Sequence, residues 1–478
     1  MLVLSRSGEA SVEILYQRVG GIDVHKRQVT VTARTPRDGG GRLQTTRTFK
    51  TFYGDLLTMA WWLVTELGVT HVAMESTGPY WWPVYAALRE VGGPGLVIEV
   101  VNAAHVKAVP GRKTDVRDSQ WLAELMEVGL LRGSFIAPEQ VRRLRDFTRY
   151  RTKVTEERSR EKQRLLKTLE AAGIKLDNVA SDTFGVSGRL MLQALVAGER
   201  DPVVLAGMAR GLLRNKTADL RLALDGRFTA HHGRLVGLHL ARIDDLDRML
   251  GRLNTAITDS GDGTAADADA TGDAAGGGGL VAPFAAQVAL LTSIPGVGEQ
   301  VATAVIAEIG VDMSRFPTGK HLASWAGLAP GNHESAGKRR SGRRRKGNPH
   351  VCSALVEAAL AGSRTSTRIG ARFHRLHRRF GGRAKPGAGK KAAFAVAHTL
   401  IRIIHHVLST GQPYTDLGND FYTRRVNPDT QTRTLIARLE ALSGKKIIFV
   451  DNPDDPGTTP GGDTTPDPGT GTGQPRAA

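Results

Sequence analysis

The sequence predicts an α/β domain followed by mainly helical regions, and three observations carry that prediction. Over residues 15–135, short β-like runs alternate with stretches of helical periodicity. From 136 to 257 the apolar positions recur almost wholly at helical spacing. A second globular stretch, 281–425, opens after a segment rich in glycine, alanine and aspartate, and it too is mainly helical. Alternating strand and helix favours a mixed or parallel sheet covered by helices. A chain of 478 residues with 40% hydrophobic residues is too long for one ordinary core and apolar enough to build several.

Each element follows from local pattern. Gly21-Ile22-Asp23-Val24 and Gln28 to Ala33 read as two strands joined by a tight turn at His25-Lys26-Arg27. Phe52 to Leu67 carries apolar residues at helical spacing. Thr70 to Met74 is another β-like run, ending at Glu75, and Gly95 to Val101 is a further strand. Val141 to Ala172 is a long helix dense in Arg, Lys, Glu and Leu, with Gly173 as its stop. Ile243, Leu246, Leu250, Leu253 and Ile257 form a seam of about two heptads. That seam fits an amphipathic helix in a bundle as well as a coiled coil, and either suits dimerisation. Residues 258–280 read as a flexible linker, 426–450 as a short extension, and 451–478, rich in Pro, Gly, Thr and Asp, as a disordered tail.

The net charge of +18 attracts polyanions, and nucleic acid is the commonest of these. A single cysteine, Cys352, excludes a disulfide framework or a cysteine zinc site within one chain, which points to a reducing cytoplasm. Met1 to Val19 carries scattered charges and does not read as a signal peptide. The longest nearly apolar runs, such as Val281 to Leu291, fall short of the roughly 18 residues a membrane span needs, so no membrane partner is expected.

Four acids stand out by position. Asp23 lies in the first strand and Glu75 ends a later one. Asp115 and Asp118, three apart, are expected on one face of the helix that continues through Leu122, Leu125 and Met126. Crowded carboxylates need cations, and Mg²⁺ or Mn²⁺ takes oxygen ligands while leaving room for phosphate oxygens. Two such ions stabilise the attacking and leaving oxygens of phosphoryl transfer. Each acid also reads as a solvated charge, a helix cap or an arginine partner, and Asp115 as a charge favoured at a helix start.

In the second globular stretch, Ser293-Ile294-Pro295-Gly296-Val297-Gly298 enters a helix through Val301, Val305 and Ile309, ended by Gly310. This is a helix-hairpin-helix-like signal, in which Gly296 and Gly298 would let the backbone approach a phosphate. It is equally the pattern of a plain turn between core helices. Seven of the nine residues from 338 to 346 are basic: Lys338, Arg339, Arg340, Arg343, Arg344, Arg345 and Lys346. Such a run neutralises phosphates or lines a solvated face. Arg372, Arg375, Arg378, Arg379 and Arg383 extend the basic surface. Trp61, Trp62, Trp81 and Trp82 read as packing residues, as do His398, His405 and His406 on a long C-terminal helix. Ser335 alone reads as a loop serine, with Ser341 nearby.

The blocks Gly21-Ile22-Asp23, Glu75-Ser76-Thr77-Gly78-Pro79-Tyr80 and Lys113-Thr114-Asp115-Val116-Arg117-Asp118 resemble those of the DEDD-type transposases of bacterial insertion sequences. These are the bridge-RNA recombinases of insertion-sequence family 110, related to the Piv-type DNA invertases. The C-terminal blocks Ser293 to Gly298, Trp325 to Pro330, His333 to Lys338 and Lys346-Gly347-Asn348 are similar to that family's transposase domain. The resemblance implies an RNase H-like (RuvC-like) N-terminal domain, with Asp23, Glu75, Asp115 and Asp118 as a metal-binding tetrad. It implies Ser335 as nucleophile, with Lys113 and the 338–346 run on nucleic acid. It further implies element ends and target DNA as substrates, a guide or bridge RNA, and a dimer or tetramer whose site is completed between copies. The implied location is the bacterial cytoplasm, at the nucleoid. Ser119 departs from the small apolar residue usual in the family. Two other readings remain: a Holliday-junction-type, structure-selective nuclease using water as nucleophile, and a nucleic-acid-binding protein without catalysis.

Overall fold

The structure is a computed structural model. It describes residues 2–4, 10–75, 78–102, 106, 118–258, 279–331, 333–335, 337–341, 344, 346–422, 424 and 428–447. Two compact units emerge: unit 1 is Met1–Pro283 with Ile306–Gly310, and unit 2 is Phe284–Val305 with Val311–Ala478.

Unit 1 begins with a two-stranded ribbon, β1 (Leu2–Leu4) and β2 (Ala10–Val12), and then builds a five-stranded sheet. Its strands are β3 (Val19–Val24), β4 (Gln28–Pro36), β5 (Arg42–Lys50), β6 (His71–Glu75) and β7 (Val97–Val101), in the order β5-β4-β3-β6-β7. β3, β4 and β5 are antiparallel neighbours; β6 is parallel to β3, and β7 to β6. This mixed sheet, with an antiparallel meander feeding a parallel pair, fits the expected RNase H-like arrangement. The turn at His25–Arg27 closes as expected: Val24 pairs with Val29, and the His25 N–H donates to the Gln28 carbonyl at 3.0 Å. β5 was not legible, because Arg-Leu-Gln-Thr-Thr-Arg-Thr-Phe-Lys is a largely exposed, polar edge strand.

Successive residues of a strand face opposite sides of the sheet, and here the two sides are packed differently. Ile22 and Val24, with Val29, Val31, Val72, Met74, Ile98 and Val100, form the larger core with helices α1 (Tyr53–Trp61) and α2 (Trp81–Gly92). Residues Trp62–Glu66 extend α1 as a π-helical turn. On the other side, Val19, Ala73 and Val101 pack with Leu122, Ala123, Leu125 and Met126 of α3 (Asp118–Glu127). Arg34 of β4 pairs with Glu127 at 2.7 Å and with Glu124 at 3.1 Å, tying the end of α3 to the sheet.

The remainder of unit 1 is helical: α4 (Glu139–Ala171), α5 (Leu176–Val179), α6 (Val186–Ala197), α7 (Pro202–Gly207), α8 (Thr217–Leu224) and α9 (Ala230–Thr258). α4 and α9 run antiparallel, with contacts from Tyr150–Met249 to Glu161–His239. All five residues of the heptad seam are buried, and Leu246, Leu250 and Leu253 pack with Val154 of α4. The seam is therefore covered by the chain's own helix. Gly173, at φ +77°, ends the long helix segment as expected.

Unit 2 consists of α10 (Ala285–Thr292), the start of α11 (Glu299–Ile309), α12 (Gly319–Trp325), a hairpin of β8 (His333–Ser335) and β9 (Lys338–Ser341), then α13 (Pro349–Gly362), α14 (Arg368–Arg379), α15 (Ala388–Thr410) and α16 (Pro428–Ser443). α13 is capped by Asn348, whose side chain accepts from the N–H groups of His350 and Val351. α15 is more apolar than the uninterrupted runs of the sequence suggest. It has 23 residues, and one 18-residue stretch of it reaches a mean hydropathy of 1.3, enough to cross a membrane by length and composition alone. The uninterrupted runs miss it because Lys390, Lys391, His398 and Arg402 break its sequence. Its apolar stripe, including Val396, Leu400, Ile401 and Ile404, is buried in unit 2.

Candidate active site

The acidic pair is built by the sheet. The register of β3 on β6 runs Gly21 with Ala73 and Ile22 with Met74, so Asp23 and Glu75 follow on the next rung. Both stand at the C-terminal ends of parallel neighbours, on the side that faces α3. Gly21 shows how close that helix lies: a Cβ added there would stand 2.1 Å from the Ser119 carbonyl oxygen and 2.4 Å from the Ala123 nitrogen. Only glycine permits this approach. Asp118 is the first residue of α3 and is exposed, where the helix dipole favours a negative charge. Ser119 is fully buried, and its hydroxyl is 2.9 Å from that of Thr32 on β4. A hydroxyl in place of a small apolar residue thus finds its partner, and the departure at 119 is accommodated.

The Asp23 side chain is 23% exposed, and its Oδ2 is 2.9 Å from His25 Nε2. Glu75 is half-buried at the strand end. Asp115 and Lys113 lie outside the described residues, as does the expected sharing of a helix face by Asp115 and Asp118. Among the described residues, no group of three or more His, Cys, Asp or Glu side chains could hold a metal ion. The donor chemistry of Asp23 and Glu75, oxygen ligands side by side on one face, fits a hard divalent cation.

Sequence reasoning missed Glu99. It pairs in register with Ala73, on the same face as Glu75 and two residues below the Glu75–Val101 rung. Burial pushes its carboxyl pKa up, partly countered by the Gly133 N–H that donates to it. Nothing distinguishes this glutamate within Val-Ile-Glu-Val-Val except the parity of the strand.

In unit 2, Ser335 is a hairpin residue, paired with Lys338 across a turn in which Gly337 has φ +72°. Glu334 pairs with Arg339 and His333 with Ser341. The side chains of Ser335, Lys338, Arg339 and Arg340, and the whole of Arg343 and Arg345, lie outside the description. Lys346 is exposed. The Arg344 guanidinium is engaged in packing, 4.7 Å from the Phe394 ring and 3.3 Å from Cys352 Sγ.

The turn between α10 and α11 joins two helices, as the sequence pattern predicts. Gly296 has φ +87°, and a Cβ there would lie 2.3 Å from the Ala358 carbonyl oxygen and 2.5 Å from the Gly362 nitrogen. The close approach this glycine permits is to α13. Gly298 is exposed with open space around it, while Glu299 adds a negative charge to the first turn of α11. Among the tryptophans, Trp62 is core at 2% exposure, and Trp82 stacks on Tyr85 beneath the Arg142 guanidinium. Trp61, by contrast, is exposed. His405 Nε2 is 2.7 Å from the Phe316 carbonyl oxygen, a packing role.

Two family models match the chain. One, described as a transposase of the DEDD type of IS110, matches residues 20–174; the other, described as the transposase IS116/IS110/IS902 family, matches residues 288–375. Together these stretches take in half of the chain. Among curated proteins, the mini-circle transposase for IS117 of Streptomyces coelicolor is 34% identical over 128 residues, 26% of this chain and 29% of that protein. The pilin gene-inverting protein of Moraxella bovis is 47% identical over 49 residues, 10% of this chain and 15% of that protein. The chain thus spans less than a third of the length of these curated relatives. A solved structure of RuvC from Thermus thermophilus aligns over 25% of this chain and 100% of that one, at 12% identity and a TM-score of 0.20. The chain belongs to the IS110 transposase family.

Proposed function

We propose that this chain is a DNA recombinase of the transposase kind, which cuts and rejoins strands to move an insertion sequence. The observation that carries the reading is the adjacency of Asp23 and Glu75, strand-end carboxylates on one face of the sheet, beside the helix that begins at Asp118. Family membership supports it, and a net charge of +18 suits a polyanionic substrate.

Asp23, Glu75, Asp115 and Asp118 are assigned to divalent ions, magnesium or manganese. Such ions supply Lewis-acid stabilisation of the attacking and leaving oxygens. Ser335 is assigned as nucleophile. Its Oγ forms a bond to phosphorus as the bond from phosphorus to a deoxyribose oxygen breaks. The leaving oxygen takes up a proton and becomes a free strand hydroxyl, while the serine gives its own proton to a base. Attack by the hydroxyl of another strand then reverses the exchange and releases the serine. One phosphate ester replaces another, so the sequence needs no nucleotide cofactor. On the family resemblance, element ends and target DNA are bridged by a guide RNA. A dimer or tetramer completes the site between copies, in the bacterial cytoplasm at the nucleoid.

The test uses the full-length chain with element ends supplied. Ser335→Ala is expected to abolish both strand cleavage and the covalent protein–DNA adduct seen on a denaturing gel. Cleavage at the parent rate would instead assign the attack to water and favour the resolvase-type reading. Asp23→Asn is expected to slow cleavage by on the order of a thousandfold, the kinetic equivalent of several kcal/mol of lost charge stabilisation. Unchanged cleavage in that variant, or in excess chelator, would end the metal-dependent reading.

A further inference from the structure

The arginine-rich helix α14 carries a basic feature that the site above does not use. Arg368, Arg372, Arg375 and Arg379 recur at helical spacing and so share one side of the helix. Arg372, Arg375 and Arg379, with Leu376 and Tyr422, line a cavity of about 150 Å³. A single water needs only about 10–15 Å³ of such space, so the cavity has room for a phosphate group.

The aromatic wall orients the cations. Arg372 Nη1 donates to the Tyr422 hydroxyl at 3.2 Å, and the Arg375 guanidinium lies over the Tyr422 ring at 5.1 Å. Burial pushes the Tyr422 hydroxyl pKa up, but hydrogen bonds and charge from Arg372 and Arg368 outweigh it and bring the value down. The neighbouring acids are committed elsewhere: Asp416 accepts from the backbone N–H groups of Arg368 and Gly418, and Asp420 pairs with Arg424. Among the described residues, no carboxylate forms an ion pair with Arg372, Arg375 or Arg379. The Nε of Arg372 is buried with no hydrogen-bond partner among them. Three converging cations repel one another, and a buried donor without an acceptor is costly. An anion in the cavity relieves the repulsion among the guanidiniums.

We propose that this pocket grips a phosphodiester of a nucleic-acid backbone, with Arg372, Arg375 and Arg379 as charged donors and the Tyr422 hydroxyl as a neutral one. The proposal rests on the recombinase reading for its partner class, and it adds a second grip, on α14, to the 338–346 run.

The test titrates the full-length chain against a duplex DNA oligonucleotide and, separately, an RNA stem-loop, by fluorescence anisotropy across a salt series. Arg375→Gln combined with Arg379→Gln removes two exposed guanidiniums without opening the core. Each lost phosphate contact is expected to lower the slope of log affinity against log salt by about 0.9 for duplex DNA and about 0.7 for single strands. Affinity should fall about tenfold or more in at least one arm, and the arm affected identifies the nucleic acid. Tyr422→Phe should weaken the same arm severalfold. Arg221→Gln with Arg227→Gln, which removes equal charge elsewhere, should leave the slope unchanged. Circular dichroism and thermal midpoints matching the parent confirm folding. If the double variant binds both probes with the parent's slope, or falls no further than the charge control, the pocket proposal is wrong while the recombinase reading stands. If the parent binds neither probe, both fail.

Discussion

The two elements assigned to chemistry are built on opposite terms. Asp23, next to last in a strand of six residues, and Glu75, last in a strand of five, belong to a five-stranded sheet packed on both faces. Ser335 ends a three-residue strand paired only with a four-residue one. A sheet of that size has its register enforced by two cores, whereas a lone two-stranded hairpin is marginal at best. The contrast suits the proposed division of labour. Acids that share a cation must be held apart from their neighbours' rearrangements, while a nucleophile needs only to reach its phosphate once the substrate is bound.

Glycine substitutions separate the two cases. Gly21→Ala puts a methyl group into the backbone of α3, so it should cost about 3 kcal/mol or more, as core overpacking at backbone does. It should also displace Asp118 and reduce cleavage; a denaturant midpoint equal to the parent's would refute the tight sheet–helix contact. Gly337→Ala is the smaller perturbation. Open space surrounds that position, and only the left-handed backbone, φ +72°, is strained, at about 1 kcal/mol. A loss comparable to that of Gly21→Ala would show the hairpin to be as rigidly held as the sheet, erasing the comparison.

The smallest effect concerns Glu99. Its raised pKa means the folded chain binds this proton more tightly than the unfolded chain does. The associated stability is fully present below the ordinary glutamate range and is lost as pH rises through the raised value. Glu99→Gln keeps an acceptor for the Gly133 N–H and removes the titration. The variant's stability advantage should therefore grow as pH rises from acid towards neutral. A gap that stays constant in urea melts across that range would show that burial of Glu99 imposes no penalty on its charge.

Much of this was legible before any coordinates. The β3, β6 and β7 strands announce themselves as short apolar runs, and the helical spacing of 141–172 and 243–257 needs no tertiary context. The common face of Asp23 and Glu75 follows from strand parity once the parallel register is known, but the sequence does not contain that register. β5 escaped because an exposed edge strand has no apolar alternation to detect. The partner of the heptad seam was equally invisible: periodicity states that a face is buried, not which helix covers it. Gly296 taught the reverse lesson, since the motif around it signals a close approach without naming the α13 backbone as what is approached.

The alternation of facing residues along β3 and β6 also sets how these segments can drift over evolutionary time. Point changes at Val19 or Val72 cost packing alone, but losing or gaining one residue ahead of Asp23 or Glu75 would turn the acid into the apolar interior shared with α1 and α2. Length changes in this part of the gene should therefore be confined to the loops between strands, such as the Gly39-Gly40-Gly41 bend. There an added codon leaves the orientation of both acids untouched.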